Sequence, residues 1–175
     1  MAPDVLASLA TKGLSGVSAG EGRKGGYYAL DVAVRKGVDA AWVFESAGGA
    51  RRLVRRLLAN LFDRDRAPSI GKLLVGLLKA RRKELGEAKG EQEWMRIWEE
   101  PLREAMMSEE LRHRVVTYVL PGVMGVSEEC FRKFLEGFGL DKDGDFKDVR
   151  DENLGALLCC LKTGKELGFV GEIGR

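Results

Sequence analysis

The chain is poor in the residues that usually carry chemistry. It has one histidine, His113, and three cysteines, Cys130, Cys159 and Cys160. Any imidazole-based acid or base would have to be built around position 113. An odd number of cysteines without regular spacing argues against a disulfide scaffold, and an adjacent pair does not supply the usual Cys-x-x-Cys metal geometry. No apolar run is long enough to span a bilayer, and "MAPDVLASLATKGLSG" lacks the basic start and unbroken apolar core of a secretory signal. The reading is an intracellular chain in a reducing compartment with no membrane partner. One-signed charge is lacking too: 29 Lys and Arg against 27 Asp and Glu leave a net +2, so nothing marks a dedicated polyanion binder. At 175 residues the chain has the common size of one domain with a real core.

What is present is helical periodicity. The glycine- and serine-dense stretch from Gly13 to Gly26 reads as loop or disorder, so residues 1–26 are expected to be a flexible segment or short helix and 27–175 a single helical domain. "YYALDVAVRKG" places Leu30 and Val34 on one face with Gly37 as a C-cap. "VDAAWVFESAGG" reads as a short helix or partly extended segment. Leu53, Leu57, Leu58, Leu61 and Phe62 then form an apolar stripe, closed by Pro68. Ile70, Leu73, Leu74, Leu77, Leu78 and Leu85 form another, with Ser69 as a possible N-cap. Trp94, Ile97 and Trp98 precede Pro101, which begins a new helix or kinks the old one. Leu111, Val115, Tyr118 and Val119 follow, then the aromatic stripe of Phe131, Phe134 and Phe138 and a last helix through Leu154, Leu157, Leu158 and Leu161. The fold class is all-α: an irregular bundle or short solenoid of six to eight helices in antiparallel hairpins, with no fixed repeat period.

One stretch imitates a metal site. In "GLDKDGDFKDVRDEN", Asp141, Asp143, Asp145 and Glu152 match positions 1, 3, 5 and 12 of a calcium loop between helices. Position 6, however, is Phe146, which does not readily take the left-handed conformation glycine supplies, and no second loop pairs with it. It reads as a solvated acidic connector. Glu110 precedes His113 by three residues as in a di-iron bundle, but no second copy exists. "GEGRKGG" and "KTGKELG" resemble phosphate loops in composition only. No catalytic residue, metal site or cofactor is assigned.

Three candidate surfaces remain. Trp94, Met95, Trp98, Met106 and Met107 gather around Pro101 and have the composition of an interface core, unless they are the domain's own core; Phe169 and Val170 in the C-terminal tail are a second protein-contact candidate. The basic clusters Arg51, Arg52, Arg55 and Arg56, and Lys79, Arg81, Arg82 and Lys83, would fall at the same end of a helical hairpin and offer RNA phosphates a composite patch. The plainer reading is charge on solvent faces and at helix C-termini.

The order "WEEPLREAMMSEELRHRVVTYVLPGVM", preceded by two leucine-rich helices and followed by "CFRKFLEGFG" and "LKTGKELGFV", resembles the helical region that follows the nuclease domain in the eukaryotic pre-rRNA internal-transcribed-spacer endoribonuclease subunit. The likeness spans roughly residues 38 to 170. It implies a nucleolar scaffold in ribosome biogenesis whose partner is a polynucleotide kinase or ribosome-assembly factor. The nuclease motif of that family, Arg and His a few residues apart, has no match here: Arg112 adjoins His113 and Arg103 lies ten residues away. The expectation is therefore a noncatalytic scaffold or protein-interaction domain within an RNA-processing assembly. The alternatives are an RNA-binding helical module using the basic hairpin, or a small helical enzyme or calcium-binding protein.

Overall fold

A computed structural model describes residues 3–18, 24–125 and 127–168, and among these there is no strand. The helices are α1 (Pro3–Ser18), α2 (Lys24–Arg35), α3 (Ala40–Ser46), α4 (Ala50–Asn60), α5 (Ala67–Leu85), α6 (Glu87–Glu93), α7 (Glu99–Met107), α8 (Glu109–Tyr118), α9 (Leu120–Met124), α10 (Glu128–Glu136) and α11 (Asp151–Glu166). A π-helical turn, Trp94–Trp98, joins α6 to α7. The all-α reading holds, with more and shorter segments than the six to eight expected.

Of the two readings of the glycine-dense start, flexible segment or short helix, the described part is helix. Gly13 and Gly16 lie inside α1, and Gly26 lies inside α2. A Cβ at Gly13 would stand 2.8 Å from the Leu30 backbone nitrogen, and one at Gly16 would stand 3.2 Å from the Gly26 Cα. These glycines let two helix backbones approach more closely than side chains permit, and the apolar contact of Ala10, Leu14 and Val17 offsets their poor helix propensity. Residues 19–23 lie outside the described residues.

α5 is the helix on which the rest is assembled. Pro68 opens it in the first turn rather than closing the preceding unit, and Ser69 lies inside it rather than capping it. Its Ile70, Leu73, Leu74, Leu77 and Leu78 are buried, and α2, α3, α4, α6, α8 and α9 all pack on it. Helix ends are tied down by distant side chains. Glu84 of α5 accepts from the Ala40 and Ala41 amides at 2.6 and 3.3 Å, capping α3 where no local side chain does. Arg114 of α8 donates to the Leu61 and Phe62 carbonyls just past α4.

Pro101 neither starts nor breaks its helix. The chain is helical from Glu87 to Met107, and the turn before Pro101 widens: the Glu99 amide bonds back five residues to the Trp94 carbonyl. Proline in a helix interior removes a donor and crowds the preceding turn, and a π turn accommodates both. The widened turn sends Trp94 and Trp98 into the core. Trp94 meets Phe134 edge-on at 6.0 Å, Phe134 meets Phe138 at 5.3 Å, and the Arg103 guanidinium lies 5.9 and 5.8 Å from those two phenylalanine rings.

Candidate protein-binding groove

The sequence-predicted surfaces fare unevenly. Trp94, Trp98 and Met106 are fully buried, while Met95 and Met107 are half-buried against the core, so the partner surface expected around Pro101 is the domain's own interior. Aromatic and methionine side chains serve a core and an interface by the same apolar contact, which is why composition does not separate them. Phe169 and Val170 lie outside the described residues.

Four of the eight cations of the basic hairpin are neutralised from within. Arg51 pairs with Glu100, and Arg55 pairs with Glu100 and Glu104 at 3.3 and 3.1 Å. Arg81 pairs with Glu84 and Glu93 at 3.1 and 3.0 Å, and Arg82 approaches Glu87 at 3.9 Å. The carboxylates come chiefly from α7, which packs on α4 where the sequence does not reveal it, and from α6, which packs on α5. Arg52, Arg56, Lys79 and Lys83 have no ion pair among the described residues.

The acidic loop is held by its own backbone. One oxygen of Asp141 accepts from the Asp143 and Asp145 amides at 2.8 and 2.9 Å, and Asp145 accepts from Lys147 N at 3.0 Å. Gly144 takes the positive φ of the turn, two residues before the point at which a calcium loop needs it. No group of three or more His, Cys, Asp or Glu able to hold a metal occurs among the described residues. His113 is exposed, and its carbonyl accepts from the Thr117 hydroxyl.

The concavity that does stand out is a groove of about 1160 Å³ with α5 as its floor, α2 along one wall and α8–α9 along the other. Glycines keep it close-built. A Cβ at Gly71 would stand 2.5 Å from the Tyr118 carbonyl oxygen, and one at Gly122 would stand 2.4 Å from a Val75 methyl. Val34, Val38, Val75 and Ala80 contribute apolar lining, and the phenols of Tyr28 and Tyr118 stand exposed, 65% and 39%, on opposite walls.

The groove's charges are unevenly committed. Asp31 is buried and paired with Arg35 at 3.1 Å. Glu84 is held by the α3 amides and Arg81. Lys72, Lys79 and Lys83 line the same groove, are exposed, and have no ion pair among the described residues. Their spacing of seven and then four residues puts them within a narrow sector of α5, about 10 Å and then about 6 Å apart along its axis. Sequence reasoning singled out Lys79 and Lys83 but missed Lys72, Tyr28 and Tyr118; the helical register of the three lysines was the available signal.

Residues 94–175 match a protein-family model described as "Trm732, TPR repeats". No curated protein matches the chain. No solved structure matches it either. The matched stretch begins at the π turn and takes in α7 to α11. TPR units are helix–turn–helix pairs of about 34 residues that stack into extended binding surfaces. Here α7 and α8 are joined through Ser108 alone, whereas α10 and α11 are separated by the longer acidic loop, so the pairs are irregular. Among its described residues the chain is all-helical, and over residues 94–175 it is similar to repeats of this helical, scaffold-forming kind. No helix among the described residues is long and apolar enough to cross a membrane.

Proposed function

We propose that this domain holds a protein partner in the groove between α2 and α8–α9. The observation that carries the proposal is the groove's construction. It joins a wall from the repeat-like half, α8–α9, to a floor and wall from the preceding half, and presents an exposed tyrosine from each side over an apolar lining. Tyrosine supplies large contact area at low entropic cost, and such exposed aromatics over a concavity are typical anchors for a partner. A groove floored by one helix and walled by others is the kind of surface that helix-in-groove recognition uses.

The resemblance of the leucine-rich order to the spacer-endoribonuclease scaffold supports placing this activity in a ribosomal-RNA-processing assembly, with a polynucleotide kinase or ribosome-assembly factor as the partner sought. The internal pairing of Arg51, Arg55, Arg81 and Arg82 weighs against RNA as the principal ligand.

The test is affinity capture from native lysate with the intact chain, before and after nuclease treatment, alongside a Tyr28→Ser/Tyr118→Ser variant. The expected result is one stoichiometric protein partner that survives nuclease and is lost with the double variant. Recovery that depends entirely on RNA, or that is indifferent to both tyrosines, overturns the proposal.

A further inference from the structure

The groove has a charge problem that the fold leaves unsolved. Three ammonium groups, at Lys72, Lys79 and Lys83, follow one line along α5, and the carboxylates near them are already engaged: Asp31 by Arg35, and Glu84 by the α3 amides and Arg81. Only Asp39, at the margin, is acidic and without a partner among the groove's described residues. Elsewhere some cations are matched, as Arg51, Arg55, Arg81 and Arg103 are by carboxylates, and others, Arg52 and Arg56 among them, have no ion pair among the described residues. The lysine line stands out among the uncompensated cations because its three ammonium groups share one sector of α5 and line the groove.

We infer that the partner segment seated in this groove is an acidic amphipathic helix, whose carboxylates meet Lys72, Lys79 and Lys83 while its apolar side chains lie against Val34, Val38 and Val75 beneath Tyr28 and Tyr118. The inference deepens the protein-scaffold reading and rests on it. A helix carrying acidic residues at matching intervals of four and seven would place one carboxylate opposite each ammonium, since both helices rise about 1.5 Å per residue. Charge complementarity of this kind sets register and association rate more than raw affinity, so the lysines select the partner and the apolar floor retains it. A nucleic acid fits less well. The groove's one arginine, Arg35, is occupied by Asp31, which leaves no free guanidinium to grip a phosphate backbone in bidentate fashion.

The test uses the full chain and a display library of random 16-residue peptides, selected in parallel on wild type and on a Lys72→Glu/Lys79→Glu/Lys83→Glu variant, with single-stranded RNA of random sequence as competitor. Circular dichroism melting of the variant checks that it folds, as expected for exposed positions. The wild type should enrich peptides rich in Asp and Glu at helical spacing. Those peptides should bind the variant roughly 10- to 100-fold more weakly, and their affinity for wild type should fall with added salt. No acidic enrichment, or acidic peptides that bind the variant equally well, overturns the inference, as does displacement of the selected peptides by RNA at comparable concentration. If the lysate partner is still captured by the triple variant, the lysine assignment fails while the scaffold reading stands. If neither chain captures any protein, both fail.

Discussion

Two glycines five residues apart on α5 provide a controlled test of the groove's architecture. At Gly71 an added Cβ would lie 2.5 Å from the Tyr118 carbonyl oxygen and 2.8 Å from its Cβ. That is roughly 1 Å short of ordinary contact, and both obstacles are fixed by the backbone of α8. At Gly76 the nearest atom is an Asp31 carboxylate oxygen at 3.2 Å, the end of a side chain that can yield. Replacing either glycine by alanine favours the helix by up to about 1 kcal/mol. At position 71 forced separation of α5 and α8 costs about 1–3 kcal/mol, so the net effect is neutral to about 2 kcal/mol destabilising. At position 76 the propensity gain should survive largely intact. For a chain of this size 1 kcal/mol corresponds to about 2–4 °C in Tm, so Gly76→Ala should melt several degrees above Gly71→Ala. Thermal unfolding followed by circular dichroism, backed by urea midpoints, measures the gap. If Gly71→Ala is as stable as Gly76→Ala, the close α5–α8 contact, and with it the wall that carries Tyr118, is wrongly drawn.

Alkaline titration should expose the buried thiols. Burial pushes the Cys160 thiol well above its usual value, and Cys130 shifts the same way, chiefly by desolvation. The unfolded chain ionises its cysteines near pH 8.5 while the folded chain keeps these protonated. Stability is thus fully present below that pH and falls as pH rises above it, by up to about 1.4 kcal/mol per pH unit for each such thiol. Urea unfolding between pH 8 and 10 should show this slope, and Cys160→Ala should flatten it whatever that variant's absolute stability; an unchanged slope would refute the assignment. Millimolar calcium should leave Tm where it is, because Asp141 is already bonded to backbone amides, whereas Asp141→Ala should cost about 1 kcal/mol by freeing the Asp143 and Asp145 donors. A calcium-dependent rise in Tm that disappears in Asp141→Asn would restore the metal reading. Arg55→Ala should cost less than about 1 kcal/mol, and salt should shrink the difference, since its pairs with Glu100 and Glu104 are half-exposed.

The helices were legible because their apolar spacing is local information. Ile70, Leu73, Leu74, Leu77 and Leu78 announce the buried face of α5, and Ser127 announces the start of α10, where its hydroxyl accepts from Cys130 N. The α1–α2 contact was not legible. Glycine density lowers helix propensity, and only the partner backbone reveals that Gly13, Gly16 and Gly26 are where two helices cross. The aromatic cluster was legible as a cluster with core and interface both open, because the choice depends on a π turn that periodicity at 3.6 residues cannot foresee. The arginines misled for a similar reason: their counter-ions lie some 45 to 49 residues away on α7. At Phe62 and Leu158 the apolar pattern continued past the buried face, and both side chains are exposed.

α5 explains why a domain with so little site chemistry still has a distinct groove. A helix packed on one face by six others has its apolar positions fixed, leaving its polar sector as the only part free to vary in purpose. On α4 part of that sector is closed by Glu100 and Glu104 of α7. On α5 it is split. Toward the C-terminal end Arg81 and Glu84 are drawn into the fold, bonded to Glu93 and to the start of α3, while Lys72, Lys79 and Lys83 face the groove without counter-charge. The same pairings that fix the α3 and α6 ends therefore consume the acids that would otherwise have neutralised the lysines. Substituting Glu84 should accordingly affect two quantities in opposite directions: it removes the cap of α3 and lowers stability, and it deepens the positive charge of the groove.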